Sequence, residues 1–173
     1  MYVRCFFLLA FLIQGLSGQT CLTLSTAAVT PGGTASLELS LDSSAESPVA
    51  ALQWTLRFPS SAISSITVDD GPAVTAADKT VMCTSKAEGY VCMAVARNGN
   101  TIAKGVVAKL TAVLASDASN AVIEVVDPFA ASPEGYFIPI TARNGTVTTA
   151  NVSRDRRLRP PLRRIAALQC PAQ

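Results

Sequence analysis

The sequence of 173 residues contains no histidine. Imidazole is the general base of Ser-His-Asp and Cys-His enzymes and a ligand in many zinc sites, so its absence excludes these chemistries. Charged residues make up 15% of the chain and aromatic residues 6%, whereas hydrophobic residues reach 49%. Alanine, valine, threonine, serine and leucine dominate, which is typical of a β-rich extracellular domain rather than a disordered chain. A chain of this length can form one domain with a sizeable core, plus two ends.

Beyond its N-terminus the sequence has no long hydrophobic run. Residues 5–13 are apolar, Arg4 precedes them, and the small residues Gly15 and Ser17 follow. This is the pattern of a secretory signal peptide, and the run is too short for a membrane anchor. We therefore predict that residues 1–18 are a signal peptide. The rest of the chain is expected in the extracellular space or the cell envelope, without a transmembrane anchor.

Removal of a signal peptide leaves four cysteines, which are Cys21, Cys83, Cys92 and Cys170. An even number of cysteines in an oxidising compartment predicts disulfides. The segments on either side of a short polar connection, residues 85–89, are predicted to form a β-hairpin. A symmetric hairpin places Cys83 directly opposite Cys92, within the distance that a disulfide accepts. We predict a Cys83–Cys92 bond, with Cys21 and Cys170 left to tie the two ends of the chain together.

Positive charge is concentrated at the C-terminus. Residues 19–149 contain seven basic and eleven acidic residues, a net charge of −4. Residues 150–173 contain six arginines and one aspartate, a net charge of +5, around a Pro-Pro pair. We predict a folded domain over residues 19–149 and a disordered, solvated Arg/Pro-rich tail over 150–173. Attraction of the tail to an anionic envelope surface remains open, and nucleic acid is not expected as a partner of an exported chain.

The clearest pattern in the sequence is an alternation of apolar and polar residues over residues 49–58. Its apolar positions are Leu52, Trp54, Leu56 and Phe58, and its polar positions are Gln53, Thr55 and Arg57. A period of two predicts a β-strand with all large side chains on one face. We predict that this strand lies in the middle of a sheet, with Trp54 in the core and the polar side chains on the opposite face.

Similar short alternating segments, separated by turn residues, occur from residue 21 to residue 149. They include residues 34–42, 63–68, 105–115 and 121–127, and a last strand over 140–149. Residues 128–139 are expected to form an irregular loop. About nine short strands without a helical period predict an all-β fold, a two-sheet β-sandwich.

No pattern in the sequence favours an enzyme. A glycosidase requires two carboxylates at a defined separation across a cleft. Asp69 and Asp70 are adjacent, so on extended chain their side chains point apart, and a turn is the simpler interpretation. Together with Asp78 they also lack the spacing of a calcium-binding loop. We predict no catalytic residue, no metal site and no cofactor.

Several segments, in order, resemble a cohesin module, the sandwich domain that anchors dockerin-bearing enzymes in bacterial cellulosomes. Residues 30–41 (T-P-G-G-T-A-S-L-E-L-S-L) resemble the opening of the module, and residues 48–63 (P-V-A-A-L-Q-W-T-L-R-F-P-S-S-A-I) its most characteristic stretch. Residues 105–114 (G-V-V-A-K-L-T-A-V-L) and 143–148 (R-N-G-T-V-T) resemble later strands. The resemblance covers about residues 21–149. It implies a nine-stranded jelly-roll sandwich, related in fold to carbohydrate-binding modules, that binds a calcium-loaded dockerin through one flat sheet face.

Two binding surfaces follow from this reading. The resemblance assigns partner binding to the polar face of residues 49–58, first to Gln53 and then to Thr55 and Arg57. Glu124 on a later strand and Ala94 on the hairpin are expected beside them. The implied partner is a dockerin-like or other extracellular protein, in polysaccharide breakdown or cell-surface assembly. The alternative is direct polysaccharide binding by exposed aromatic residues, namely Tyr90, Phe129, Tyr136 and Phe137.

Overall fold

The computed structural model describes residues 19–87 and 89–150. The predicted signal peptide, and all of the predicted tail except Ala150, lie outside the described residues. Within the described part of the chain, no helix is long and apolar enough to cross a membrane.

Twelve strands and one short helix make up the described residues, and the strands form two sheets. The first sheet has the order β11-β1-β3-β8-β5. Its strands are β1 (Thr20–Leu24), β3 (Thr34–Asp42), β5 (Ile63–Asp70), β8 (Gly105–Leu114) and β11 (Ile140–Arg143). The second sheet has the order β2-β12-β9-β4-β7-β6, and β10 pairs with β9. Its strands are β2 (Ala27–Val29), β4 (Ala51–Arg57), β6 (Thr80–Lys86), β7 (Gly89–Val95), β9 (Asn120–Ala131), β10 (Phe137–Ile138) and β12 (Gly145–Thr149).

The core lies between the two sheets and is built from the alternating apolar positions. On β3, Leu37 and Leu39 are fully buried, and on β4 Leu52, Trp54 and Leu56 are fully buried. Strand β4 lies between β9 and β7, so it is an interior strand of its sheet. The predicted two-sheet sandwich, the central position of this strand and the burial of Trp54 are therefore confirmed.

The described residues form twelve strands rather than nine because each end strand is divided between the two sheets, which adds β2 and β12, and because β10 forms within the expected loop. The predicted last strand is interrupted at Asn144: β11 pairs with β1 in the first sheet, and β12 pairs with β2 in the second. The Asn144 side chain accepts a hydrogen bond of 2.9 Å from the backbone N–H of Val125 at this break. A Cβ on Gly145 would lie 2.4 Å from the carbonyl oxygen of Ser25, so only glycine fits the crossing. A local strand pattern does not show such a change of partner.

Strand β5 continues through Asp70, so the turn expected at Asp69 and Asp70 is wrong, and a five-residue helix, α1 (Pro72–Ala76), follows one residue later. Lys79, which follows this helix, is buried. Its ammonium group donates to the side-chain oxygen of Asn98 at 2.8 Å and to the backbone oxygen of Asn98 at 3.3 Å. Because both acceptors are uncharged, the loss of water around the ammonium dominates and lowers the pKa of Lys79.

Candidate functional site

The outer face of the second sheet, the side turned away from the core, is the candidate binding surface. The register of its strands places Met82 on β6, Met93 on β7, Gln53 on β4 and Phe129 on β9 in one line across the sheet. Phe137 on β10 pairs with Ala131 and so lies diagonally next to Phe129, with its ring centroid 5.6 Å from that of Phe129. We call these five residues the apolar row.

Four members of the apolar row are exposed apolar side chains. The exposed fractions are 59% for Met82, 40% for Met93, 44% for Phe129 and 62% for Phe137. Gln53, in the middle, is half-buried. Neighbouring strands lie about 4.8 Å apart, so a row across five strands is about 19 Å wide. The face therefore presents two pairs of exposed apolar side chains with one amide between them.

A β-bulge in β9 decides that Phe129 belongs to this face. The register of β9 against β4 shifts between Val126, which pairs with Thr55, and Phe129, which pairs with Gln53. Between them, Asp127 has a positive φ of 50°, and Pro128 has no backbone N–H to donate to the ladder. Between these two pairs β9 has one residue more than β4. Without this extra residue, strict alternation would point Phe129 into the core. The strand continues to Ala131 and β10 covers Phe137–Ile138, so the expectation of an irregular loop over residues 128–139 is wrong at both ends.

Three of the four predicted partner-binding residues lie on the outer face of β4, but they differ in accessibility. Gln53 lies in the apolar row. Thr55 is only 5% exposed, between Val91 and Val126 on the flanking strands, so it offers almost no surface to a partner. Arg57 lies at the end of β4, and its guanidinium is 3.5 Å from the carboxylate of Asp127.

The fourth residue, Glu124, pairs with Arg57 across β4 and β9 and is exposed. Ala94, expected beside these residues, is instead fully buried in the core. It pairs with Leu52, on the inner side of the sheet. The neighbouring position, Met93, faces outwards in its place.

The structure separates the four aromatic residues of the carbohydrate alternative. Tyr90 lies on the inner side of the second sheet, where it packs against the core and stacks on Phe58 with a ring-centroid distance of 5.7 Å. Phe129, Tyr136 and Phe137 lie together around the β9–β10 connection, and Tyr136 is the most exposed of them.

Hydrogen bonds from Ser132 hold the β9–β10 connection in shape. Its backbone N–H donates to the Tyr136 carbonyl oxygen at 2.9 Å, and its hydroxyl accepts from the Tyr136 N–H at 3.3 Å. The same hydroxyl donates to the Glu134 carboxylate at 2.8 Å. This bond, with a backbone hydrogen bond, holds the pKa of Glu134 below its usual value. The loop therefore presents Tyr136 on an ordered turn.

The predicted hairpin disulfide is confirmed. Cys83 lies opposite Cys92 in the β6–β7 hairpin, and the two are bonded, with Cα atoms 4.0 Å apart. Cys21 is also disulfide-bonded, and Cys170, the partner predicted for it, lies outside the described residues.

The two methionines of the apolar row were missed at the sequence level, although a signal for them existed. Met82 and Met93 each adjoin a cysteine of the hairpin, and successive residues of a strand face opposite sides. Because Cys92 is in the core, the adjacent methionines had to point outwards. The disulfide prediction thus showed that the two methionines share one side of the hairpin, but the expected outward position of Ala94 assigned that side to the core.

No protein-family model matches the chain, and no curated protein matches its sequence. Solved structures match its fold. The sixth cohesin of scaffoldin B from Acetivibrio cellulolyticus, in complex with a Cel5 dockerin mutant, has a TM-score of 0.67 at 18% identity, covering 76% of this chain and 99% of that one. The OlpA cohesin of Clostridium thermocellum, in a type I cohesin–dockerin complex, has a TM-score of 0.67 at 13% identity, covering 77% and 100%.

A non-cellulosomal cohesin from the hyperthermophilic archaeon Archaeoglobus fulgidus is also similar, with a TM-score of 0.64 at 10% identity, covering 79% of this chain and 94% of that one. These likenesses define the class of the domain as a jelly-roll β-sandwich of the cohesin kind. The chain thus has a cohesin-like fold, as its sequence segments indicated.

Proposed function

We propose that this domain is a secreted, non-catalytic binding module that attaches to a dockerin-like protein through the outer face of its second sheet. The observation that carries the proposal is the apolar row, in which four exposed apolar side chains flank Gln53. Contiguous exposed apolar surface is uncommon on a soluble domain and marks interaction sites. The cohesin neighbours solved with dockerins support this class of partner.

The composition of the row suits a protein interface. Aromatic residues and methionine are enriched in interface cores, and the flexible thioether of methionine adapts to the shape of a partner. Gln53, at the centre, can donate and accept hydrogen bonds with the partner backbone and so fix its position. Arg57 lies four residues beyond Gln53 on β4, and Glu124 lies five residues before Phe129 on β9. Both are therefore at the rim, where charges influence association rate more than affinity.

The source of affinity therefore differs from the one that the sequence indicated. A face carrying only Gln53, Thr55 and Arg57 would depend on hydrogen bonds and shape. With Thr55 buried and the two methionines and two phenylalanines exposed, burial of apolar surface becomes the main favourable contribution. The setting that we propose is extracellular attachment, in polysaccharide breakdown or in assembly at the cell surface.

Calorimetric titration against calcium-loaded dockerin modules encoded in the source genome tests the proposal. A Gln53→Ala, Arg57→Glu double variant should weaken binding about tenfold, which corresponds to about 1.4 kcal/mol. Its free energy of unfolding should fall by about 1–2 kcal/mol, because Arg57→Glu places a carboxylate opposite Glu124 and beside Asp127, so the variant should remain folded. Wild-type protein that binds none of these dockerins would overturn the proposal.

Polysaccharide binding is the second candidate, and one observation favours it. Phe129, Phe137 and the highly exposed Tyr136 form an aromatic cluster on an ordered connection at one end of the apolar row. Aromatic faces stack on the apolar faces of sugars. Retardation of the protein in gels containing a soluble polysaccharide, abolished by Tyr136→Ala with Phe137→Ala but not by changes at Met82 and Met93, would favour this candidate over the first.

A further inference from the structure

Strand β6 lies at one edge of the second sheet, and two observations show where its backbone groups point. In an antiparallel pair, opposite residues that exchange no hydrogen bonds have the closer Cα atoms, about 4.5 Å apart rather than 5.5 Å. Cys83 and Cys92 lie opposite each other with Cα atoms 4.0 Å apart, so the N–H and C=O groups of Cys83 point away from β7. The N–H of Val81, two residues earlier, donates to the Asp70 carboxylate at 2.6 Å, which agrees with this direction.

Beyond Val81, the outward backbone groups of β6 form an open edge. Cys83 and Ser85 each direct one N–H and one C=O away from β7, and these groups have no backbone partner in the described part of the chain. Ser85 is exposed, and β6 pairs with β7 from Thr80 to Lys86 without a bulge. Because Asp70 occupies the N–H of Val81, the free donors of this edge begin at Cys83.

This edge differs from the other three sheet edges among the described strands. β2 and β11 have only three and four residues, and β5 carries Asp69 and Asp70. Short strands and charges protect an edge, because unpaired backbone groups otherwise pair with another chain. β6 has seven residues, and its only charged residue is Lys86 at its end. The middle of β6 is therefore the least protected edge.

We propose that β6 pairs antiparallel with β6 of a second copy of this chain, with Thr84 opposite Thr84 of that copy. In this register, Cys83 of each copy lies opposite Ser85 of the other. Each of these two pairs exchanges two N–H···O=C hydrogen bonds, so the free groups of both residues are satisfied in both copies. Asp70 keeps its hydrogen bond to Val81, which lies outside these pairs. This inference is independent of the dockerin-like partner proposed above.

The side chains on the outer side of β6 favour a second copy as the occupant. Met82, Thr84 and Lys86 are exposed and lie on the same side of the strand. The register pairs Thr84 with its copy, which is a favourable cross-strand pair, and Lys86 with Met82 of the other copy. The lysine methylene groups can then cover the thioether. The ammonium group approaches Asp70 of the other copy, whose carboxylate is bonded to Val81, next to Met82. Opposite charges of the two copies therefore meet at both ends of the pairing.

The symmetry of this contact limits the assembly to two copies. A two-fold contact uses the same edge of both chains, so neither copy keeps its β6 edge open for a third. The two-fold axis is perpendicular to the merged sheet, so the outer faces of both copies lie on the same side. The dimer therefore presents two apolar rows side by side. Because the open edge is short, the interface is small, and the association is weak and depends on concentration.

Two measurements on the exported full-length protein test the proposal. Sedimentation equilibrium over a wide range of concentration should show a monomer–dimer equilibrium. Amide hydrogen exchange, followed by NMR, locates the contact. Where most of the protein is dimeric, the N–H groups of Cys83 and Ser85 should exchange at least threefold more slowly than in the monomer, and the N–H of Val81 should change less. A monomer at every concentration would refute the proposal, as would a dimer in which these two amides exchange at the monomer rate.

A pair of matched variants tests the register. Thr84→Lys places two positive charges opposite each other at the centre of the pairing, and it should raise the dissociation constant of the dimer at least tenfold. Thr67→Lys makes the same change at an exposed position on β5, in the first sheet, and should raise it less than twofold. Thermal unfolding checks that both variants are folded. Equal effects of the two variants would show that the copies do not meet at β6.

A further variant keeps the test decisive if Thr84→Lys does not fold. Ser85→Pro removes an N–H that β7 does not use, so the hairpin can tolerate it, and it should also raise the dissociation constant at least tenfold. An unchanged dissociation constant would contradict the pairing. Protection of the Cys83 and Ser85 amides only after a dockerin-like module is added, in a protein that stays monomeric, would assign the edge to that partner and refute the proposed dimer.

Discussion

The apolar row makes a quantitative prediction that separates protein binding from carbohydrate binding. Met82 and Met93 lie at one end of the row, away from the aromatic cluster, and are cross-strand neighbours. Their exposed fractions, 59% and 40%, add up to about one whole methionine side chain. Burying one such side chain contributes about 1.5–3 kcal/mol. We therefore expect Met82→Thr with Met93→Thr to raise the dissociation constant for a dockerin-like partner by about tenfold to a hundredfold.

Threonine is chosen because it is favoured in strands, so the hairpin should keep its stability within about 1 kcal/mol. The assay is calorimetric titration, with thermal unfolding as the check on the fold. Val122→Thr is the matched control, because Val122 is also an exposed apolar residue on β9. It lies about 20 Å along the strand from Phe129 and should change the dissociation constant less than twofold. A folded methionine double variant that binds as tightly as the wild type would refute the role of the row.

Three further predictions concern stability. Cys83→Ala with Cys92→Ala should lower the free energy of unfolding by about 2–3 kcal/mol, because a short cross-link no longer restricts the unfolded chain. Urea denaturation measures this, and an unchanged midpoint would contradict it. Trp54→Ala should cost about 3–5 kcal/mol, since the indole is fully buried. A variant as stable as the wild type that has lost polysaccharide binding would instead mean that Trp54 is exposed. Burial lowers the pKa of Lys79 from its ordinary value of 10.5, so in the window below 10.5 the unfolded state binds more protons. Stability should therefore rise with pH there, and more steeply in the wild type than in Lys79→Met. Parallel stability–pH curves for the two proteins would contradict this.

The sequence by itself determined the class of fold and most of its strands. Strand β3 occupies the predicted residues without change, and the alternation of β4 placed Trp54 in the core. The symmetry of the β6–β7 hairpin predicted the Cys83–Cys92 bond. These features follow from local periodicity and from pairing between strands close in sequence, and both can be read without the rest of the chain.

The tertiary structure decided which side chains the binding face presents. The bulge at Asp127 turns Phe129 outwards, and flanking side chains on β7 and β9 bury Thr55 although it lies on the outer side of its strand. The predicted last strand is interrupted at Asn144, and its two parts, β11 and β12, belong to different sheets. Each of these outcomes depends on contacts between segments far apart in the chain. The apolar–polar alternation shows which residues of a strand lie on the same side. The register and the neighbouring strands determine which of these residues are exposed.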